Sequence, residues 1–139
     1  MRRAVRVLAY AWAAPTSAIG LLVALPVLIA NGRWHFVGGV LEVHGPLLEW
    51  ALRRWVPLPG GAQAMTLGHV VLGRDGACLA RSRIHERIHV AQCERWGPFF
   101  LPAYGVASLV GWWRHGDAYR GNAFEQAAWE GERPRSLAG

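Results

Sequence analysis

The sequence has no lysine and only two cysteines, and its nine acidic residues are outnumbered by fifteen arginines. Cys78 and Cys93 fall near opposite ends of one predicted helix, about 22 Å apart along its axis, which excludes a disulfide between them. The arginines are scattered and no aromatic-basic motif of a nucleic-acid module accompanies them. The net charge of +6 therefore favours an anionic membrane surface, and we predict no nucleic-acid partner.

Charge is also missing from a long stretch near the N-terminus. Residues 8–30 carry none, and an uncharged helix of this length can cross a bilayer of about 30 Å. The preceding arginines predict that its N-terminus lies inside and that the rest of the chain lies outside the cytoplasm. A signal peptide and a buried core helix are the alternatives. We thus expect a membrane helix at 1–32 and one domain at 33–139.

The rest of the chain alternates short strand and helix patterns. Strands are predicted on either side of Gly38-Gly39 within 35–44, and a third one at 64–73. Further helices are predicted at 46–55, 77–95, 99–113 and 123–131, with a loop at 57–61 and a frayed tail at 132–139. This pattern predicts an α+β fold with a short antiparallel sheet.

The helix at 77–95 carries the strongest chemical signal of the chain. Its expected core face consists of Ile84, Ile88 and Ala91. The charged side chains expected to face solvent are Arg81, Arg83, Arg87 and Glu94. The helix at 99–113 is uncharged but short for a membrane span, so it is expected to lie in the core or on the membrane surface.

The segment His85-Glu86-Arg87-Ile88-His89 matches the pattern His-Glu-x-x-His. On a helix the two histidines share one face about 6 Å apart along the axis, so both imidazoles can bind one zinc ion. The glutamate between them is then placed to act as a base on a water molecule that the metal activates. A surface helix with solvated side chains is the alternative.

A catalytic zinc ion needs a third protein ligand. The extended motif with a third histidine would need glycine at position 92 and histidine at position 95, but the chain has Gln92 and Arg95. Cys93 lies one turn too far along the helix and is expected to be a small buried residue. Of the downstream acids, Glu125 is the best candidate, although Asn122 and Glu125 also fit a capping box.

The helix at 99–113 constrains this choice. If that helix runs back along 77–95, the turn that follows brings Glu125 towards the two histidines. If it crossed the membrane, Glu125 would lie on the opposite side from them, so the two interpretations are mutually exclusive.

Several ordered blocks of the sequence resemble a bacterial family of small membrane-associated zinc metallopeptidases with a glutamate ligand. The blocks are 66–73, 85–92, 96–104 and 119–125. The resemblance implies a zincin-like domain in which His85, His89 and Glu125 bind Zn²⁺ and Glu86 is the general base. The chain departs from the family pattern near Glu125, because Gly121 and Ala123 stand where the family tends to have aspartate and proline.

The predicted function is zinc-dependent hydrolysis of a peptide or protein substrate at a membrane, with substrate pairing beside the strand at 64–73. Gln92 and Asn122 are candidate partners for the metal ligands. The residues that can stabilise an oxyanion are His69, Tyr104, His115 and Tyr119. Two non-catalytic alternatives are a membrane protein with a structural metal and a basic membrane-surface module.

Overall fold

A computed structural model describes residues 1–56 and 58–133 of the chain. The helices are α1 (Arg2–Ile29), α2 (Pro46–Arg54), α3 (Gly76–Trp96), α4 (Phe100–His115) and α5 (Ala123–Glu132). The strands are β1 (Arg33–Val37), β2 (Val40–His44), β3 (Ala64–Leu67) and β4 (Val70–Gly73). The predicted α+β class is confirmed. The predicted loop at 57–61 begins at Pro57, outside the described residues, and the predicted tail lies outside them from residue 134 onward.

The four strands form one sheet in the order β1-β2-β4-β3. Its two outer pairs are antiparallel, as predicted, but β2 and β4 are parallel, so the sheet is mixed. The segment 64–73, predicted as one strand, is a hairpin that turns at Gly68-His69. Gly68 has φ +66°, and a Cβ atom there would lie 2.2 Å from Ser17 Oγ on α1, which explains the glycine.

Helices cover both faces of the sheet. Side chains alternate between the faces along each strand, so two hydrophobic clusters form. The cluster on the α1 and α2 side contains Ala24, Val27, Val43, Leu48, Leu67, Val70 and Leu72. The cluster on the α3 side contains Val40, Val71, Leu79 and Val90. The metal-motif helix is therefore held directly against the sheet.

The expected core face of α3 is wrong. Ile84 is 65% exposed and Ala91 is exposed, whereas the histidines and glutamate of the motif are buried. The apolar periodicity of this helix is weak, and the inward side chains are largely polar ones with partners on other elements. Asp75 caps the first turn by accepting a hydrogen bond from Cys78 N at 2.7 Å, and the helix ends at Gly97.

Glu42 on β2 binds two of the arginines that were expected to face solvent. Its carboxylate is almost fully buried and accepts two hydrogen bonds of 2.9 Å from Arg83. His35 Nε2 lies 2.9 Å from it and Arg87 3.5 Å from it. This network joins the middle of α3 to the edge hairpin β1–β2.

Helix α1 is continuous over 28 residues, with Pro15 and Pro26 inside it, and lies within the segment 1–32 that was predicted to be a membrane helix. Among the described helices it alone is long and apolar enough to cross a membrane. It packs along the sheet rather than standing apart from it. Its buried side is made of small residues, and a Cβ atom on Gly20 would lie 2.8 Å from Leu67 O of β3.

Candidate metal centre

Three side chains from two helices converge beside the sheet. His85 and His89 project from α3, and Glu125 projects from the first turn of α5. The two histidine Nε2 atoms are 3.1 Å apart, and Glu125 Oε2 lies 3.0 Å from His85 Nε2. Glu125 Oε1 lies 3.3 Å from His89 Nε2. One ligand atom from each residue lies within 4.8 Å of the others, so the group can hold a metal ion.

The hydrogen-bond partner of each histidine Nδ1 atom determines which tautomer the neutral ring adopts. His89 Nδ1 lies 2.8 Å from Gln92 Oε1, and Gln92 is held in this orientation because its Nε2 donates to Phe124 O at 3.0 Å. His85 Nδ1 lies 3.2 Å from Glu132 Oε2. Both partners are acceptors, so in the neutral form of each ring Nδ1 carries the proton and Nε2 presents a lone pair. Two lone pairs and a carboxylate thus face one another.

This donor set fits a tetrahedral cation. Bonds of about 2.0–2.1 Å in tetrahedral geometry place neighbouring ligand atoms about 3.3 Å apart. The three observed separations of 3.0, 3.1 and 3.3 Å are close to that value. Facing acceptors at this distance repel unless a proton or a metal ion lies between them, so the cluster is suited to binding a cation.

The position of Glu125 depends on the turn between α4 and α5. Gly111 and Gly121 meet there without room for a side chain, since a Cβ atom on Gly111 would lie 2.5 Å from the Gly121 carbonyl carbon. Asn122 caps α5 by accepting from Phe124 N at 2.8 Å and donates to Tyr104 O and Ser108 Oγ on α4. The cap uses Asn122 alone, which leaves the Glu125 carboxylate for the histidines.

Tyr104 is part of the support of the cluster. Its hydroxyl donates to Glu125 Oε1 at 2.6 Å, so this predicted oxyanion-binding candidate restrains the predicted third ligand. Tyr119 packs edge-on against Trp129, and burial followed by the charge of Glu125 raises its pKa. Both tyrosines therefore lie near the cluster.

The charges of the cluster reinforce one another when no metal is present. Burial lowers the pKa of His85, but the hydrogen bond and charge of Glu125 outweigh this effect and raise that pKa to about 9. Burial raises the pKa of Glu125, and the hydrogen bonds from His85 and His89 overcome it and lower that pKa to about 2. The buried Glu125 carboxylate thus stabilises a positive charge on the histidines, even when that charge is only a bound proton.

The Glu86 side chain is buried on the side of α3 that faces β3. Its Oε2 accepts a hydrogen bond of 2.5 Å from Thr66 Oγ1. Burial is the largest effect on its pKa and raises it, which makes the carboxylate a stronger base than an exposed one. The Thr66 hydroxyl and the adjacent histidines fix its orientation and partly offset that rise.

Other sequence candidates lie away from the cluster. His69 sits at the β3–β4 turn, where its Nε2 lies 2.8 Å from Glu94 Oε1 and its ring stacks on Tyr10. His115 is exposed at the end of α4. Cys93 is fully buried, and burial raises its pKa to about 11, which fits the expected small core residue and not a ligand.

Sequence reasoning did not assign roles to Glu132 or Thr66. Glu132 lies seven residues after Glu125, two helical turns along α5, so helical spacing alone places both on one face. Thr66 belongs to a strand that is distant in sequence, and nothing local to it indicates a contact with Glu86.

The chain was also compared with known protein families, curated proteins and solved structures. No match was found in any of the three comparisons.

Proposed function

We propose that the protein is a membrane-associated zinc hydrolase that cleaves peptide bonds, with a zincin-like domain. The observation that carries this proposal is the convergence of His85 Nε2, His89 Nε2 and a Glu125 carboxylate oxygen, with a second, buried carboxylate on Glu86 whose pKa responds to the charges of all three. Two imidazoles and one carboxylate are a donor set typical of catalytic zinc, which keeps a fourth position for water or substrate. In such a site zinc activates a water molecule and polarises the scissile carbonyl.

Glu86 is the residue of this chain that moves the proton. A buried carboxylate with a raised pKa accepts a proton from the attacking water and passes it to the leaving amine. Thr66 orients that carboxylate, and His85 and His89 hold their tautomers through Glu132 and Gln92.

The position of β3 at one edge of the sheet favours an extended peptide as the substrate. Strand β3 pairs only with β4 among the described strands, so no described strand occupies its other edge, to which an extended peptide can add. The same strand carries Thr66, whose hydroxyl contacts Glu86. A peptide added along β3 would therefore pass close to the base.

Metal content tests the proposal directly. Elemental analysis of detergent-purified protein is expected to give about one zinc per chain in the wild type. Glu125→Ala is expected to lose or weaken binding because it removes one of three protein ligands, whereas Glu86→Gln is expected to retain the metal. Zinc content unaffected by Glu125→Ala would place the third ligand elsewhere. Absence of zinc after reconstitution would refute the hydrolase and leave the membrane-surface module.

Gln92→Ala is expected to weaken zinc binding by about 10–100-fold, because it removes the acceptor that fixes the tautomer of His89. Competition with a zinc chelator measures the dissociation constant. The matched control is Gln126→Ala on exposed α5 surface, whose side chain donates to Arg120 O and touches no ligand. Equal affinities for the two variants would show that Gln92 does not support the metal site.

A structural metal is the second candidate function, and the burial of the cluster favours it. Each of the three ligand residues is 8% exposed or less. Structural zinc sites are closed by four protein ligands, whereas catalytic sites keep an exchangeable position. X-ray absorption on the zinc-loaded protein distinguishes them, since three protein ligands plus a light-atom solvent ligand support the hydrolase.

A further inference from the structure

The outer face of α1 is apolar and uncovered by the described residues. Leu8, Leu22 and Ile29 lie on one side of the helix at spacings of fourteen and seven residues, and Leu22 is 71% exposed. The inner face consists of small residues against the sheet. A water-soluble core helix turns its large apolar side chains inward, whereas α1 turns them outward. A continuous apolar face of this kind marks an interaction surface.

Helix α4 has a second exposed apolar face. Only Phe100 and Gly111 of its sixteen residues are buried, and Leu109 is 64% exposed. The two helices meet where Trp12 of α1 packs on Phe99, just before α4, with ring centroids 6.1 Å apart. The exposed apolar side chains of α4 are Val106, Leu109, Val110, Trp112 and Trp113.

The borders of the surface identify lipid as its occupant. Arg2, Arg3 and Arg6 form the start of α1, and Arg114 with His115 forms the end of α4. Neither helix contains an acidic residue. Arginines next to an apolar face that carries tryptophans are typical of helices that lie at the interface of an anionic bilayer.

The packing of α1 determines how it meets the bilayer. Trp12 Nε1 donates to Arg95 O at 3.3 Å, Gly20 lies against Leu67, and a Cβ atom on Gly45 would lie 3.4 Å from a methyl group of Val27. The domain thus lies alongside α1 over most of its length. If α1 crossed the bilayer, the domain packed along it would lie within the hydrocarbon core of the membrane.

That depth is unfavourable for the charged surface of the domain. Glu49 and Arg53 of α2 are 45% and 59% exposed, and Arg81 of α3 is also exposed. Charged side chains are strongly disfavoured at the bilayer centre. These residues remain in water if α1 lies along the membrane surface.

We propose that α1 lies in the plane of the membrane, with its outer face and the exposed face of α4 buried among lipid acyl chains, and that the whole domain stays on one side. The proposal replaces the spanning helix expected from length and charge alone. The metal centre is then close to lipid, because the ligand Glu125 is hydrogen-bonded to Tyr104 of α4.

One consequence rests on the proposed function. A hydrolase held against the membrane in this way reaches peptide segments close to the bilayer, so its substrate class is the membrane-proximal segment of lipid-anchored or membrane-inserted proteins.

Nitroxide depth measurements on the full-length protein test the proposal. Single cysteines replace Leu8, Leu22, Ile29, Leu109 or Arg81, each with a nitroxide label, in vesicles of phosphatidylethanolamine and phosphatidylglycerol. The native Cys78 and Cys93 are buried. Wild type treated with the same nitroxide reagent shows whether they react with it. Collisions with oxygen and with a nickel chelate report depth.

An in-plane α1 gives similar shallow depths at Leu8→Cys, Leu22→Cys and Ile29→Cys, with Leu109→Cys also in lipid and Arg81→Cys several-fold more accessible to nickel. A deep centre with shallow ends would show a spanning helix and overturn the proposal. Nickel access at both Leu22→Cys and Leu109→Cys, or spin–spin coupling between copies there, would overturn it by removing lipid as the occupant. Zinc content of the same samples is measured separately. A sample without zinc would therefore refute the proposed hydrolase without affecting the conclusion about membrane depth.

Discussion

Glu86→Gln is expected to retain zinc and to reduce peptide hydrolysis by about 10²–10⁴-fold, the usual contribution of a general base. The amide keeps the shape of the side chain and can still accept the hydrogen bond from Thr66. It cannot take a proton from the attacking water. The loss should therefore appear mainly in kcat, with little change in metal content.

The measurement is cleavage of a fluorogenic peptide library by the zinc-loaded protein in vesicles. Glu94→Gln is the matched control, because Glu94 lies two turns further along α3 and contacts His69 instead of the cluster. Equal activity in the two variants would contradict the role of Glu86. Activity lost in both would indicate that the helix itself had been disturbed.

Glu42→Gln is expected to lower the free energy of unfolding by about 3 kcal/mol. Removing one partner of a buried ion pair costs about 3–5 kcal/mol. The low end applies because the Arg83 side chain is 38% exposed and recovers part of its hydration. Glu42 is the shared acceptor for Arg83, Arg87 and His35, so the neutral amide leaves several donors with a weaker partner.

Urea unfolding followed by tryptophan fluorescence measures this change on the metal-loaded chain in detergent. The control is Glu49→Gln, which breaks the exposed pair with Arg53 at 3.2 Å and should cost less than about 1 kcal/mol. A similar small loss for both variants would show that the Glu42 network contributes no more than a surface pair.

The difference in unfolding free energy between wild type and Glu42→Gln is expected to depend on pH. The hydrogen bonds from Arg83 lower the pKa of Glu42 from 4.5, against an opposing effect of burial. A lowered folded-state pKa contributes stability that is fully present above the unfolded value and is lost as pH falls through the folded value. The stability difference between wild type and Glu42→Gln should therefore narrow below about pH 4.5.

Local sequence signals predicted the parts of the fold that depend on neighbouring residues. The spacing of His85 and His89 requires only one helical turn, and the helix predicted at 77–95 spans Gly76–Trp96 in the structure. The hairpin at Gly38-Gly39 follows from two glycines with positive φ in the structure. The α+β class follows from these elements together.

Contacts between distant segments were not accessible in the same way. The periodicity of α3 is compatible with an apolar face at Ile84, and only the position of Glu42, Thr66 and Glu125 shows why the polar face is buried instead. The parallel pairing of β2 with β4 is likewise a choice between strands separated by α2 and β3.

By itself the sequence determined a helix that presents two histidines and a glutamate, a short sheet, a largely apolar N-terminal helix and a small set of acids from which Glu125 was the best candidate ligand. The tertiary structure alone decided that Glu125 meets both histidines, that Gln92 and Glu132 set their tautomers, and that α1 packs along the domain. The physical reason is that helix and turn preferences act over a few residues. The burial of a charge or an apolar face depends on partners brought together by the whole fold.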